Sequence, residues 1–290
     1  MHPVPQEDRP PEGHRPDGAA PLMHPLAVLI TDAAAGRFPP VDGGWQRVPP
    51  WRPGLEGIVA FTGHAVLALA ADVTDERLAG FGVNGLGGAH DPRLIAALAG
   101  PDGWIASLDV LLASRGTGQP GAAGAGPAGA GPASADPAGA SPTSAGPAGA
   151  GPAGAGPRLV DRPDLAAHPR VQFAAQIRDQ PRILGYPDLR RSALAVVSRG
   201  LGGLTELSFE LEPQRRGTGS GATLISDALS AIPAGQLVIA AIAPGNAASL
   251  RAALTAGFVP LGSTQLFRRR PAGPKADGHG GQAAGQRGSS

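Results

Sequence analysis

Several residue types are absent or scarce in this chain of 290 residues. Cysteine is absent, which excludes disulfides, thiolate metal sites and cysteine nucleophiles. The formal net charge is +1, so no charge excess favours binding to nucleic acid or to an anionic membrane surface. No apolar run approaches the length of a membrane span, and the polar N-terminus lacks the apolar stretch of a signal peptide. We therefore expect a cytoplasmic protein with neither a nucleic-acid nor a membrane partner.

Glycine and proline, by contrast, are abundant, with 45 and 32 residues. Much of the excess lies between Gly116 and Pro157, where short units such as GPAGA recur in varying order. Alanine, glycine and proline offer little to bury, so we expect a disordered low-complexity linker there. Residues 1–21 and 271–290 are expected to be disordered tails. The linker divides the chain into an N-terminal segment, 22–115, and a C-terminal segment, 158–270.

The N-terminal segment has the pattern of a small α+β unit. A short helix is predicted over His24 to Ala35. Two apolar runs, Gly57 to Phe61 and His64 to Ala71, flank a Thr-Gly turn and predict a hairpin. A helix is expected over 91–100, because Asp-Pro can start it and glycine can end it. A strand is predicted over Trp104 to Ala113.

The C-terminal segment alternates between strand and helix patterns. Leu207, Phe209 and Leu211 share one face of a half-buried strand, and Glu206, Ser208 and Glu210 share the other. The predicted elements are strands over Arg182–Tyr186, Ala193–Ser198, Leu204–Leu211 and Leu237–Ala243, helices over Gly221–Ile232 and Asn246–Leu254, and one or two closing strands over Phe258–Leu266.

The stretch RRGTGSGATL, from Arg215 to Leu224, joins a predicted strand to a predicted helix. Glycines let an anion reach backbone N–H groups without a Cβ in the way, and the helix dipole adds partial positive charge. Arg215 and Arg216 add full charges, with a solvated strand exit as their alternative role. The stretch therefore indicates a pyrophosphate site, whereas a flexible surface turn is the simpler interpretation.

Two familiar phosphate motifs fit this stretch poorly. A P-loop requires a lysine after its last glycine, but Ala222 and Thr223 follow Gly221. A dinucleotide fingerprint requires GxGxxG and an acidic residue after the next strand. Here the spacing is GxGxG, and the strand LVIAAIA ends without an acid. An ATP-binding or dinucleotide-binding enzyme is therefore retained only as a formal alternative.

A third pattern matches better. Residues 216–221 fit Gln/Arg-x-x-Gly-x-Gly/Ala, and NAAS at 246–249 followed by AGF at 256–258 fits a second motif. In both motifs, and in the buried strand between them, the chain resembles the GNAT superfamily of acyl-CoA-dependent N-acetyltransferases. The resemblance covers about Leu165 to Arg269. It implies a mixed, mostly antiparallel central sheet flanked by helices, in an α/β (α+β) fold.

The resemblance also implies which residues bind acetyl-CoA as cosubstrate. The loop amides would hold the pyrophosphate, the exit strand would pair with the pantetheine arm, and the second motif would contact that arm. The implied residues are Phe209, Leu211, Arg216, Gly217, Thr218, Gly219, Ser220, Gly221, Asn246 and Ser249, and the charge of Arg215 before the glycines adds that residue to the predicted cofactor site.

Acyl transfer to an amine requires a proton acceptor and stabilisation of a tetrahedral oxyanion. Glu210 is the first candidate for the base and Glu206 the second; the alternative is that both belong to a solvated strand edge. The family often uses a tyrosine on the second-motif helix to protonate the leaving thiolate. Ala253 stands at that position, and the single tyrosine is Tyr186. Ser249 or water would substitute for it, or the domain would bind acyl-CoA without turning it over.

The histidines and tryptophans favour structural roles. No histidine has a partner at metal-ligand spacing such as HxxxH, so no metal site is expected. The tryptophans are expected in the core, with a substrate wall as the alternative. They are Trp45, Trp51 and Trp104.

Two functions follow as hypotheses. The first is transfer of an acetyl group from acetyl-CoA to a primary amine of a small molecule or protein. The second is a non-catalytic acyl-CoA-binding sensor or interaction protein. The acceptor and the oligomeric state are left open, because acceptor pockets in such folds are built by variable loops.

Overall fold

The computed structural model describes residues 23–118 and 158–269. The two predicted tails and all but the first residues of the predicted linker lie outside these ranges. Residues 116–118 form backbone hydrogen bonds with residues 229–236, so the beginning of that segment is attached to the fold.

Ten strands and six α-helices form the described structure. The strands are β1 (Trp45–Val48), β2 (Glu56–Phe61), β3 (His64–Ala68), β4 (Trp104–Arg115), β5 (Val160–Asp161), β6 (Asp179–Gly185), β7 (Leu194–Arg199), β8 (Thr205–Glu210), β9 (Leu237–Ile242) and β10 (Val259–Arg268). The helices are α1 (Pro25–Ala34), α2 (Asp75–Gly80), α3 (Pro92–Ala99), α4 (Pro169–Ile177), α5 (Ser220–Ser230) and α6 (Ala247–Thr255).

Local signals placed most of these elements correctly. The Asp91 carboxylate accepts a hydrogen bond from the Arg93 amide, so it caps α3 as predicted. Asn246 caps α6 by accepting from the Ser249 amide at 3.2 Å. The predicted hairpin is confirmed by the antiparallel pairing of β2 with β3. These elements follow from capping and periodicity, which act over a few residues.

The strands form one sheet in the order β1-β3-β2-β10-β4-β9-β8-β7-β6-β5. All neighbours are antiparallel except the parallel pairs β1–β3 and β8–β9. The fold is therefore α+β with a mixed, mostly antiparallel sheet, as expected. The closing strand β10 lies between β2 and β4, so the two segments of the chain interleave in one sheet.

Helices cover both faces of the sheet. Alternate side chains of a strand point to opposite faces, and Leu112 packs with α5 and α6 whereas Leu111 and Ala113 pack with α1. The same alternation in β7 places α4 opposite α5. In β2 it places α2 and α3 opposite α1. The apolar core therefore consists of two layers, one on each side of the sheet. Within the described ranges, no helix is both long and apolar enough to cross a membrane.

Strands β8 and β9 separate near the middle of the sheet. Their parallel pairing is limited to Thr205 with Val238 and Glu206 with Ile239. Beyond these pairs β8 continues along β7, and β9 continues along β4. The two strands therefore diverge toward their C-terminal ends and open the sheet at the point where the glycine-rich stretch begins.

His90 gives the fold a pH dependence that can be measured. Burial lowers its pKa to about 4, and its Nε2 lies 3.0 Å from the Ser263 hydroxyl. An unfolded histidine has a pKa of about 6.5, so the unfolded state binds more protons between these values and stability falls as pH drops through this window. The free energy of unfolding of the wild type should therefore drop between pH 7 and pH 4. In His90→Gln this drop is expected to be smaller, by up to about 3 kcal/mol. Urea denaturation at both pH values measures this; parallel pH profiles would contradict it.

Candidate functional site

The glycine-rich stretch forms a loop at the beginning of α5. Gly219 is the N-cap, with φ of +81°, and no side chain of the described residues caps the helix there. The N–H groups of Ser220 and Gly221 therefore lack helical acceptors, whereas the Ala222 amide donates to the Gly219 carbonyl at 3.2 Å. The Thr218 hydroxyl donates to the Arg215 carbonyl at 2.9 Å and lies 2.8 Å from the Ser220 hydroxyl. These contacts fix the loop, while residues 216–219 stay exposed.

The glycines of this loop serve two purposes. Gly217 also has a positive φ, of +77°, and a Cβ on it or on Gly219 would face open space. A Cβ on Gly221 would instead lie 3.0 Å from the Ala252 Cβ. The first two glycines thus shape the loop, and the third allows α5 to pack closely against α6.

A cavity of about 500 Å³ lies beside this loop, and we call it the loop cavity. Most of the predicted cofactor-binding residues line it. They are Phe209, Leu211, Arg216, Gly217, Gly219, Gly221, Asn246 and Ser249, together with the predicted base Glu210. Arg215, Thr218 and Ser220 do not line it. Sequence reasoning missed two cations of its wall, Arg170 from α4 and Arg251 from α6, because no local pattern links them to the loop.

Glu210 lies between two arginines of this cavity. Its carboxylate accepts from Arg170 Nε at 3.1 Å and from Arg216 Nη2 at 3.4 Å. The side chain is half-buried, with 32% exposed. Glu210 therefore connects α4 to the glycine-rich loop. This contact is a structural role that competes with its predicted role as a base.

A second cavity, of about 450 Å³, lies on the face of the sheet that α4 covers, and we call it the sheet cavity. Its walls come from four strands, α4 and the beginning of α6, and they include Trp104, Asp109, Phe173, Arg178, Glu206 and Thr264. Phe209, Asn246, Ser249 and Arg170 line both cavities. The two cavities therefore adjoin each other where β8 and β9 diverge.

Glu206 is part of a buried ion pair in the sheet cavity. Its carboxylate lies 2.5 Å from Arg178 Nη2, and the two side chains are 6% and 7% exposed. It also accepts from the Leu201 amide at 3.3 Å. The interpretation of Glu206 as part of a solvated strand edge is wrong, because α4 covers this face.

Asp109 of β4 is an acidic residue of the sheet cavity that sequence reasoning missed. The Ser107 hydroxyl donates to it at 2.7 Å. Burial raises its pKa, and the negative charge of Glu206 adds to this effect. The signal was available in WIASLDVLLA, where Ser107 and Asp109 interrupt an apolar strand on one face. Trp104 also lines this cavity, so its alternative role as a wall of a site agrees with its position.

The structure supplies no tyrosine to either cavity. Ala253 is buried in the core at 1% exposure, so this position of α6 faces the core. Tyr186 donates a hydrogen bond to Asp227 at 3.1 Å, and its ring lies under the Arg191 guanidinium. Burial raises the Tyr186 pKa, and the nearby Asp227 carboxylate raises it further. In residues 23–118 and 158–269, no group of three or more metal-ligating side chains is close enough to hold a metal ion.

Comparison with known proteins gives structural neighbours only. No family model matches the sequence, and no curated protein matches it. A GNAT-family structure from Novosphingobium aromaticivorans DSM 12444, named as an acetyltransferase, aligns with 17% identity and a TM-score of 0.33, covering 59% of this chain and 69% of its own. A GNAT-family acetyltransferase from Colwellia psychrerythraea aligns with 15% identity and a TM-score of 0.25, covering 37% and 44%.

Proposed function

We propose that this protein is an N-acetyltransferase that transfers an acetyl group from acetyl-CoA to a primary amine. The observation that carries the proposal is the position of the two cavities. One adjoins the N-terminus of α5 and its glycine-rich loop, the other lies on the α4 face, and they meet where β8 and β9 diverge.

The loop cavity fits an acyl-CoA. The backbone amides at the N-terminus of α5 and the guanidinium of Arg216 would bind the pyrophosphate. The edge of β8 that faces β9 is unpaired beyond Glu206, so it can accept the pantetheine amides as an added strand. Asn246 and Ser249 also line this cavity. Together these groups would direct the thioester toward the sheet cavity.

The sheet cavity would hold the amine. An amine bound there would reach the thioester at the junction that Phe209, Asn246 and Ser249 line. Such positioning converts a bimolecular reaction into a reaction within one complex. The base that accepts the proton of the amine remains a prediction, with Glu210 as the first candidate and Glu206 as the second. Both carboxylates form ion pairs with arginines.

The substitution Glu210→Gln separates the two roles of this residue. We expect the KM for acetyl-CoA to fall by up to about fivefold, since a negative charge worth about 1 kcal/mol is removed from beside Arg216 and the proposed pyrophosphate site, whereas kcat changes less than about threefold. Steady-state release of free thiol from acetyl-CoA measures both constants. A fall in kcat of about 100-fold or more with an unchanged KM would instead identify Glu210 as the base.

The activity itself is tested by thiol release from acetyl-CoA in the presence of a panel of primary amines. Turnover with at least one amine, together with mass-spectrometric detection of the acetylated product, is the expected result. Absence of turnover with every amine would contradict catalysis.

A second candidate function is acyl-CoA binding without turnover. It is favoured by the absence of a tyrosine from both cavities, because Ala253 is buried and Tyr186 is bound to Asp227. Calorimetry that detects tight acetyl-CoA binding by a protein without transfer activity would support this function. A thermal shift with ATP or NAD but none with acetyl-CoA would contradict both candidates.

A further inference from the structure

The two predicted bases are both engaged by donors at both oxygens of their carboxylates. The Glu210 oxygens accept from Arg170 and from Arg216. One Glu206 oxygen is paired with Arg178 and the other accepts from a backbone amide. These contacts give both glutamates a structural role that competes with proton transfer.

Asp109 is a third carboxylate on this face of the sheet, and it is less engaged. It lines the sheet cavity and forms no ion pair within residues 23–118 and 158–269. The Ser107 hydroxyl donates to its Oδ1 at 2.7 Å. Its Oδ2 has no such donor in the described part of the chain, so this oxygen is available to a proton of a bound amine.

Strand register places Asp109 beside the gap between β8 and β9. Continuing the pairing of β4 with β9 by one residue puts Asp109 next to Ala243, the residue that follows β9. Continuing the pairing of β9 with β8 puts Glu210 level with Ala243 on the other side of the gap. Neighbouring strands lie about 4.8 Å apart, so the gap begins about 5 Å from Asp109.

A primary amine can bridge this distance. Its nitrogen must lie about 3 Å from the base and about 3 Å from the carbonyl carbon that it attacks, which together span about 6 Å. The proposed function places the thioester in the gap between β8 and β9. Ala241 and Ala243 line the sheet cavity on the way there, and their methyl groups leave the space above β9 to the amine.

Burial and charge also favour Asp109 as a proton acceptor. Burial raises its pKa, and the Ser107 hydrogen bond opposes this effect. Of the charged groups that face it, Glu206 of β8 raises the pKa further and Arg178, which follows α4, lowers it. Arg170 of α4 lines the same cavity and is bound in an ion pair. A carboxylate with a raised pKa holds an abstracted proton more firmly, which suits a general base.

We propose that Asp109 is the base of the transferase, which accepts a proton from the amine nitrogen as this nitrogen attacks the acetyl carbonyl carbon. A bond forms between nitrogen and carbon, and the bound amine enters in its neutral form. The bond between carbon and sulfur then breaks, and the CoA thiolate leaves with the electron pair and takes a proton from water. Asp109 returns its proton to solvent.

This assignment rests on the proposed function, because it names a catalytic residue for the same reaction. It moves the base from β8 to β4. The cofactor would then be bound by the C-terminal segment, whereas the proton would be removed by the N-terminal segment.

Asp109→Asn tests the assignment in the full-length protein, because asparagine keeps the shape of the side chain but cannot take up the proton. The acceptor is the amine that the wild type acetylates fastest in a panel of primary amines that includes phenethylamine, putrescine and Nα-acetyllysine. We expect kcat to fall by about 100-fold or more. The KM for acetyl-CoA should stay within about twofold of the wild type, since Asp109 does not line the loop cavity. Steady-state thiol release measures both constants.

Asp109→Ala separates proton transfer from side-chain shape. Alanine leaves a space where the carboxylate was, and formate can enter this space and accept the proton in its place. We expect formate to raise the kcat of Asp109→Ala by about tenfold or more and to leave the wild type unchanged. Chloride at the same concentration is the salt control. If Asp109→Asn does not fold, the response of Asp109→Ala to formate decides.

Asp75→Asn supplies the matched control. Asp75 is exposed at the beginning of α2 and lines neither cavity, so this variant is expected to have the kcat of the wild type. Calorimetry with CoA checks that the loop cavity of each variant is intact. A fall in kcat of less than about fivefold in an Asp109→Asn variant that binds CoA normally would overturn the assignment. A large loss in Asp109→Ala that formate does not restore would also overturn it.

The outcomes separate this assignment from the proposed function. If the wild type acetylates an amine and Asp109→Asn does so at the same rate, the transferase function stands and the base is wrong. If the wild type acetylates no amine of the panel, the transferase function fails, and the assignment of a base fails with it.

Discussion

Gly219→Asp is expected to weaken acetyl-CoA binding by a factor of about 100 or more, equivalent to about 3 kcal/mol. The new carboxylate would stand at the N-cap of α5, beside the cavity where the proposal places the pyrophosphate. Two negative charges would then compete for the same amides and the same helix dipole. Isothermal titration calorimetry with acetyl-CoA measures the effect directly.

Gly235→Asp is a matched control for this experiment. Gly235 has φ of +80°, almost equal to the +81° of Gly219, and a Cβ on either residue meets no atom within 4 Å. Both substitutions therefore place an aspartate in a left-handed conformation at a similar cost in stability. Gly235 lies in the turn before β9 and lines neither cavity. We expect the Gly235→Asp variant to bind acetyl-CoA with wild-type affinity. An equal loss of affinity in both variants would show that backbone strain, and not the charge at the loop, is responsible.

Arg178→Met is expected to lower the free energy of unfolding by about 3–5 kcal/mol. The substitution leaves the Glu206 carboxylate buried, with the Leu201 amide as its one remaining partner in the described part of the chain. It also removes Arg178 Nε and Nη1, two buried donors that have no hydrogen-bond partner among the described residues. Urea denaturation followed by circular dichroism measures the loss.

A double variant and a surface variant test the cause of this loss. Arg178→Met/Glu206→Leu replaces the whole pair by apolar groups and is expected to recover most of the stability, because no buried charge then remains unpaired. Arg190 forms an exposed ion pair with Asp188, and Arg190→Met is expected to cost less than about 1 kcal/mol. If the double variant is no more stable than Arg178→Met, the uncompensated charge is not the cause.

The Arg178–Glu206 pair also explains a glycine outside the loop. A Cβ on Gly200 would overlap the Glu206 carboxylate, so a side chain at this position would displace the pair. The turn before β8 and the buried charges of the sheet cavity are thus structurally coupled. This glycine shows how a position far from the glycine-rich loop contributes to the shape of the site.

Local sequence determined the individual elements. Hydrophobic periodicity predicted α5 and β8, and capping residues predicted the beginnings of α3 and α6, because these signals act between residues fewer than five positions apart. The position of the glycine-rich stretch between a strand and a helix was predicted for the same reason. Three glycines after two arginines indicated an anion site, and the structure places Gly217, Gly219 and Gly221 in the wall of a cavity.

The tertiary structure decided how these elements meet. Strand order placed β10 between β2 and β4. These pairings join residues about 200 and about 155 positions apart, so they leave no local pattern in the sequence. Strand order also brought Asp109 of the N-terminal segment to the same cavity as Arg178 and Glu206. The partner of each charged side chain depends on which strands are neighbours and which helix covers them. The sequence alone therefore determined the loop and the elements on either side of it, whereas only the folded sheet determined which carboxylates face the second cavity.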